Sequence, residues 1–455
     1  VSERTGRLPG VDGGPARSAL AALHGLLQRP LASYYLLISS AGLLLVIGLT
    51  MVFSATSVKA YATDGNAFAI IARQAVFAVI GLVAFWVCQR LPAQTFRALG
   101  LPTLGLAVLL LCVLDLLVLL DSTGTIAAPR LGPIEANQLW LYVGPIQVQP
   151  SELAKLGLVL WGADLLTRKG AALGWWRELA TPLFPVVGVL FVLVGYHDLG
   201  TMVCLLAIVV GLLWAAGVRL RVFGGLAVLG AAAVGLLILA AGGVDGNYRV
   251  RRLAAFFNPP AHCDRTDCYQ ALQGRYAIAD GGWFGVGLGK GSIKWDWLPA
   301  AHNDFIFAVI AEELGVVGCL VVLGLFAVLA YTGLRIARRV RHPFRRLAAA
   351  GAVTWLVSQT VINIGGVVGL LPITGLPLPF ISDGGSALVV TLAAVGMLAS
   401  FARAEPDAAR ALHARPPARW VRLLWAPLPP LPTEPGGAGR SAATQAGGAR
   451  RKVKA

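Results

Sequence analysis

The chain is short of charge. Only 13% of its 455 residues are Asp, Glu, Lys or Arg, whereas soluble domains carry about 25%, so a water-soluble globular protein is excluded. Acidic charge is the scarcer kind, with 22 Asp and Glu against 38 Lys and Arg, for a formal net charge of +16. The N-terminal stretch before Tyr34 lacks the basic end and short apolar core of a cleavable signal peptide, and reads as a cytoplasmic tail. A second cysteine pair is missing too. Cys263 and Cys268 in "HCDRTDCYQ" have only His262 beside them, which argues against zinc and for a small disulfide-closed loop on an oxidising face. Cys88, Cys112, Cys204 and Cys319 fall in or beside apolar runs and read as packing residues.

What is present is apolar: 57% of residues, with a mean hydropathy of +0.72. Runs of about 18 or more such residues mark membrane-spanning helices. The runs are 34–54, 68–88, 99–120, 150–167, 180–197, 199–217, 222–243, 304–333, 347–370 and 385–403. They predict an all-α polytopic membrane protein of about ten transmembrane helices. Its parts are a cytoplasmic tail over 1–33, a transmembrane domain over 34–403, and a disordered basic, Pro-rich cytoplasmic tail over 404–455.

Orientation follows from Lys and Arg, which favour the cytoplasmic side in short loops. With the N-terminus inside, the Arg90 to Arg97 turn, "RKGAALGWWRE", "VRLR", "RIARRVRHPFRR" and the C-terminal tail are all cytoplasmic and basic. Both termini are then cytoplasmic, and the two large extracytoplasmic loops are 121–149 and, between helices 7 and 8, 244–303. The net charge is a topology signal and an attraction to the anionic inner leaflet, not a sign of nucleic acid. In the C-terminal tail, "RWVRLLW" (Arg419 to Trp425) either lies on the inner membrane surface or shares the disorder around it, and the second reading is preferred.

Charged groups near the spans need a reason, because a charge at mid-bilayer costs about 2.5–3.5 kcal/mol or more. In "GPIQVQPSELAKL", Pro150 and Glu152 suit a helix start, and Lys155 either pairs with Glu152 or lines an outward cavity. In "YHDLGT", Asp198 reads as a cap for the helix that follows. "GGWFGVGLGKG" lacks the βαβ setting of a dinucleotide loop. Its glycines would let backbone N–H groups approach a phosphate, with Lys290 and Lys294 nearby, or would simply make it flexible. Pro372, Pro377 and Pro379 predict an irregular, cavity-lining segment in "GLLPITGLPLPFISDGGSAL". In "AHNDFIFAVIAEELG", Asp304 sits where a helix begins and reads locally as a cap, although Asn303 is also a competent one.

Together "QPSELAKL", "DLGT", "GRYAIADGGWFGVGLGKG", "LPAAHNDFIFAVIAEELG" and "LLPITGLPLPFISDGGS" resemble, in order, the motifs of the SEDS family of bacterial membrane proteins (shape, elongation, division and sporulation). The resemblance covers about residues 34–403, and "VFSATSVKAY" looks more like the family's division members than its elongation members. It implies a peptidoglycan glycosyltransferase that polymerises lipid II at the outer face of the cytoplasmic membrane, at the division septum. The implied partners are lipid II, polyprenyl-pyrophosphate-linked glycan, a class B penicillin-binding protein and other divisome proteins. Asp304 matches the family's catalytic carboxylate. Gln149, Ser151, Glu152, Lys155, Asp198, His302, Glu312, Glu313, Ser382 and Ser386 match its polar motif positions. Lys155, Arg275, Lys290 and Lys294, with a divalent cation (magnesium or manganese), would compensate pyrophosphate, and no organic cofactor is expected. Departures from the pattern include Gln138 and Leu139 before Trp140 where an Arg is usual, for which Arg130 is a candidate substitute, and Asp383 where Tyr is typical. The alternatives are a lipid II flippase, using Lys155 and Asp198 in a transport cavity, and a non-catalytic divisome scaffold.

Overall fold

A computed structural model describes residues 28–123, 130–131, 134–137, 139–144, 146–170, 176–195, 198–240, 269–292 and 301–431, with isolated positions 25, 256, 295 and 298. Helices dominate: α1 (Ala32–Asp64), α2 (Ala69–Arg90), α3 (Ala93–Ser122), α4 (Pro150–Lys169), α5 (Trp176–Gly195), α6 (Leu199–Ala215) and α7 (Leu220–Ala240) precede the large outer loop. That loop contains α8 (Tyr269–Gly281), and α9 (Ile306–Arg339), α10 (Pro343–Val367) and α11 (Ser386–Arg403) follow it. Each apolar run read from the sequence coincides with one of these helices. Among the described residues six helices are long and apolar enough to cross a membrane, and α6 and the Thr181–Gly195 part of α5 are shorter apolar helices.

Proline and glycine punctuate the bundle. Pro150 and Pro343 occupy the first turns of α4 and α10, where a missing N–H costs nothing. Gly65 closes α1 in the left-handed conformation, its N–H donating to the Tyr61 carbonyl. Between these stops α2 lies along α11, α3 along α4, and α9 against α1 and α10. The α2–α11 crossing is close: a methyl on Gly396 would lie 2.4 Å from the Phe85 carbonyl oxygen, so backbones rather than side chains meet there. Elsewhere α2 turns Val76, Val79 and Val83 outward, the surface a helix presents to lipid rather than to water.

Two sequence expectations need correction. The fold is not purely helical. The segment between α3 and α4 holds a four-stranded antiparallel meander, β1 (Arg130–Leu131), β2 (Ile134–Asn137), β3 (Trp140–Val143) and β4 (Ile146–Val148). Ala136 and Leu141 of this sheet bury against Leu114 and Leu117 of α3 in a cluster separate from the main core. Arg130 stands on the edge strand, opposite Glu135. The C-terminal segment is also ordered further than expected. It continues from residue 404 into α12 (Pro406–Ala414) and α13 (Arg419–Leu424). Hydropathy did not signal it because its contacts are made by backbone carbonyls, as described below. Residues 1–24, Gln138, Cys263, Cys268 and Lys294 lie outside the described residues.

The glycine-rich stretch after α8 is built to lie on another backbone. Helix α9 breaks at Gly315 (φ 66°, ψ −166°), which frees amides and carbonyls that the loop then satisfies. Val286 N donates to Glu312 O at 2.9 Å and Gly287 N to Glu313 O at 3.1 Å. In return Val316 N donates to Gly282 O at 3.0 Å and Val317 N to Trp283 O at 3.2 Å. This approach leaves no room for side chains: a methyl on Gly281 would stand 1.8 Å from the Ala311 carbonyl oxygen. Gly281→Ala should therefore destabilise the fold by about 1–3 kcal/mol, the usual cost of overpacking. Gly42→Ala, with nothing within 4 Å of the added methyl, should not. Thermal unfolding in detergent measures both, and equal midpoints would refute the close contact.

Candidate active site

Between α10 and α11 the chain runs without regular structure through a buried region. Leu376, Leu378, Phe380, Ile381 and Ser382 are each at most 3% exposed. Irregular backbone in an apolar surrounding must find its hydrogen bonds inside the protein. Helix α10 supplies them from Gln359 and Asn363, which with Trp355 are spaced one turn apart and therefore lie on one face. Gln359 Nε2 donates to Pro377 O at 2.9 Å, and Asn363 Nδ2 donates to Leu376 O at 2.7 Å. Ser382 Oγ accepts from Leu378 N at 2.8 Å. The irregular segment expected from the prolines is thus present and internally satisfied.

Asp304 is held by the same apparatus. Three successive carbonyls of its loop are each gripped: His302 O by Asp383 N at 3.1 Å, Asn303 O by Ser382 Oγ at 2.6 Å, and Asp304 O by Asn363 Nδ2 at 2.9 Å. The grip on the turn is made through its carbonyls. Asp304 lines a cleft with Ile362, Asn363, Gly366, Ile373, Thr374 and Gly375, and a methyl on Gly375 would lie 3.6 Å from Asp304 Oδ2. Asp304 does not cap a helix, and neither does Asn303. Helix α9 begins at Ile306 with Phe305 at the cap position and no side-chain cap bond. The local reading of Asp304 as a cap is corrected: the chain enters α9 from a turn whose polar groups are committed to the irregular segment.

Behind the cleft lies a buried ion pair. Glu152 and Lys155 are both 0% exposed, and Lys155 Nζ is 2.7 Å from Glu152 Oε1 and 2.7 Å from Gln359 Oε1. Trp355 lies under the ammonium at 5.6 Å and donates from Nε1 to the same Gln359 oxygen at 2.8 Å. Gln359 is thereby oriented, its oxygen toward Lys155 and its nitrogen toward Pro377. A continuous path of hydrogen bonds runs from the ion pair through Gln359 into the segment that grips the Asp304 loop. Lys155 is therefore not at an outward opening: its charge is used inside the bundle, which corrects its reading as a cation for pyrophosphate. Gln149 Oε1, Ser151 Oγ and Glu152 Oε2, at the start of α4, are buried and meet no hydrogen-bond partner.

Most other sequence-identified positions tie elements together. Ser386 Oγ accepts from Gln149 N at 2.9 Å, joining the starts of α4 and α11. Asp198 caps α6, accepting from Thr201 N at 2.9 Å and Thr201 Oγ1 at 2.6 Å. Glu312 Oε1 accepts from Ser292 N at 2.6 Å, and Glu313 Oε2 accepts from Gly289 N at 3.0 Å and from Ser54 Oγ at 2.6 Å. The anions that meet the glycine-rich loop's amides are thus the chain's own glutamates, which corrects the reading of those amides as a phosphate cradle. Arg275 and Lys290 are exposed, and the Arg275 guanidinium lies against Gly369, next to the irregular segment. Among the described residues no three His, Cys, Asp or Glu side chains group as a metal site.

Sequence reasoning missed Gln359 and Asn363, although a polar stripe at one-turn spacing inside an apolar helix was a usable signal. It also missed Arg73, whose Nη2 is 3.6 Å from Asp383 Oδ2. Burial pushes the Asp383 carboxyl up, with Arg73 and His302 pulling against it. Burial likewise pushes the His302 imidazole down, opposed by Asp383 and reinforced by Lys59 and Arg73.

Two outcomes follow from this geometry. Removing one member of a buried ion pair costs about 3–5 kcal/mol because it strands the other charge. Lys155→Met should therefore lower the unfolding midpoint sharply, and Glu152→Gln added to it should restore part of the loss. A double variant no better than the single one would show that the pair is not the source. A histidine with a lowered folded value binds its proton more readily when unfolded, so stability rises with pH through the window just below about 6.5 and is lost on acidification. His302→Gln should flatten the pH dependence of the midpoint in that window, and an unchanged slope would refute the assignment.

Comparison with known proteins agrees with this architecture. The family described as "Cell cycle protein", of FtsW, RodA and SpoVE, matches residues 34–406. Over 428 residues the chain is 42% identical to the probable peptidoglycan glycosyltransferase FtsW of Mycobacterium tuberculosis, covering 94% of this chain and 78% of that one. It is 34% identical over 363 residues to stage V sporulation protein E of Bacillus subtilis, covering 79% and 94%. Its structure resembles a chain described under structural coordination of polymerization and crosslinking by a peptidoglycan synthase complex. The TM-score is 0.59 at 25% identity, with 81% of this chain and 96% of that chain covered. For the rod shape determining protein RodA of Thermus thermophilus the TM-score is 0.55 at 27% identity, covering 81% and 96%. The chain belongs to the FtsW, RodA and SpoVE family of cell cycle proteins.

Proposed function

We propose that this chain is a peptidoglycan glycosyltransferase of cell division, polymerising lipid II at the outer face of the cytoplasmic membrane with Asp304 as general base. The observation that carries the reading is the placement of Asp304: a carboxylate on a turn whose three carbonyls are fixed, facing a cleft rather than capping a helix. The family and the printed functions of the relatives supply the reaction class. The basic loops support ten spans with both termini cytoplasmic, which sets the Asp304 cleft on the outer side.

In the reaction a sugar hydroxyl attacks an anomeric carbon. The new glycosidic bond forms as the bond from that carbon to polyprenyl pyrophosphate breaks, and the leaving group takes the electron pair. The hydroxyl proton passes to Asp304. A positioned base contributes roughly 10²–10⁴-fold, and positive charge at the departing pyrophosphate contributes further. Arg275 and Lys290, exposed on the outer side, are the described cations suited to that task. A class B penicillin-binding protein is the proposed partner, consistent with the likeness to a chain of a peptidoglycan synthase complex. A flippase using Lys155 and Asp198 has less support, because one is enclosed in an ion pair and the other caps α6.

Asp304→Asn and Asp304→Ala, each purified with the partner and given lipid II in detergent, should make glycan strands roughly 10²–10⁴ times more slowly than wild type. Both should keep the wild-type unfolding midpoint. Wild-type polymerisation by either variant would end the assignment, and lipid II translocation without polymerisation by the wild-type protein would favour a flippase.

A further inference from the structure

We propose that the segment from Pro406 to Leu431 is a strap that anchors the cytoplasmic end of the bundle to the anionic lipid surface of the inner leaflet. The strap is docked by its backbone. A helix ends with carbonyls that have no intrahelical partner, and here α2 provides partners from three side chains. Arg90 Nη1 donates to Leu423 O at 2.6 Å, Trp86 Nε1 to Leu424 O at 2.6 Å, and Gln89 Nε2 to Trp425 O at 3.4 Å. Trp425 Nε1 in turn donates to Tyr34 Oη of α1 at 2.5 Å, and Arg403 Nη2 of α11 to Ala426 O at 3.3 Å. His413 of α12 pairs with Pro429 O at 2.9 Å, folding the strap back on itself.

Docking through carbonyls leaves the apolar side chains over. Trp420, Leu423 and Leu424 are 66%, 71% and 64% exposed, with Arg415 and Arg419 exposed among them. Such a surface is unfavourable in water, at about 25 cal/mol for each Å² of apolar area. It is favourable at a headgroup boundary, where apolar side chains enter the acyl edge and arginines meet phosphate. The position agrees, because the strap's anchor points are Tyr34, near the start of α1, and Gln89 and Arg90, at the end of α2. Both are helix ends on the side where the basic loops gather, so the face is continuous with the membrane boundary. Charge complementarity commits the occupant to anionic phospholipid.

The test uses the full chain in nanodiscs of phosphatidylcholine alone or with phosphatidylglycerol, reading amide hydrogen exchange over residues 415–431. Exchange should be slower with phosphatidylglycerol, by about fivefold for each arginine near the surface. Arg415→Gln with Arg419→Gln should abolish that difference while leaving exchange in phosphatidylcholine unchanged. Equal exchange in both discs would overturn the proposal, as would exchange as fast as in an unstructured peptide. Protection that tracks the number of protein copies per disc would assign the face to a second copy and overturn it as well.

Discussion

An irregular backbone inside an apolar bundle has no water to turn to, and most of the polar side chains around the cleft answer that one constraint. The segment between α10 and α11 exposes amides and carbonyls that Gln359, Asn363 and Ser382 must satisfy. Gln359 can serve only if it is oriented, and Lys155 with Trp355 orients it. Lys155 in turn is fully buried against Glu152, the partner a buried cation needs. The chain of requirements ends at the loop of His302 to Asp304, whose carbonyls Asp383, Ser382 and Asn363 hold. A side chain on an irregular turn is positioned by the groups that hold the turn. Here the fixing and the stabilising of awkward backbone are done by the same atoms.

The outer loop solves the same problem in another way. Where α9 breaks at Gly315, the glycine-rich stretch after α8 takes over the lost hydrogen bonds, two in each direction. Glu312 and Glu313 then reach back to amides of the same stretch. Buried carboxylates are expensive unless they accept hydrogen bonds, and the loop's N–H groups provide them. The glycines therefore serve a backbone-to-backbone contact, and the loop is pinned a few turns from Asp304 on the helix that the Asp304 turn enters.

Hydropathy located the helices, since each long apolar run overlaps one, and the prolines marked the irregular segment. What remained hidden was of two kinds. Local strand pairing between α3 and α4 produced only three- and four-residue alternations around Ala136 and Leu141, too short to stand out from a loop. The strap was hidden because it docks through carbonyls, which every residue has and no sequence pattern reports. Charged motif residues were easy to find and hard to interpret. Lys155, Glu312 and Glu313 stand out in an apolar sequence, yet each is engaged by the chain itself.

Asp304 is the residue for which that distinction matters most. An acidic side chain at a helix start has an ordinary explanation in the orphan amides of the first turn. The structure puts Phe305 at the cap position, with no cap bond from its side chain, and α9 starts two residues after Asp304, while the carbonyls of His302 and Asn303 meet the irregular segment and that of Asp304 meets Asn363 of α10. Relieved of a capping role, the Asp304 carboxylate points into a cleft lined by Ile362, Ile373, Thr374 and Gly375. Gly375 adopts a positive φ of 77° there, a conformation in which a side chain would be strained, and its first carbon would lie in van der Waals contact with the carboxylate. Gly375 and Asp304 thus line the same cleft. A side chain that stabilised only its own helix would need neither the cleft nor the clamp.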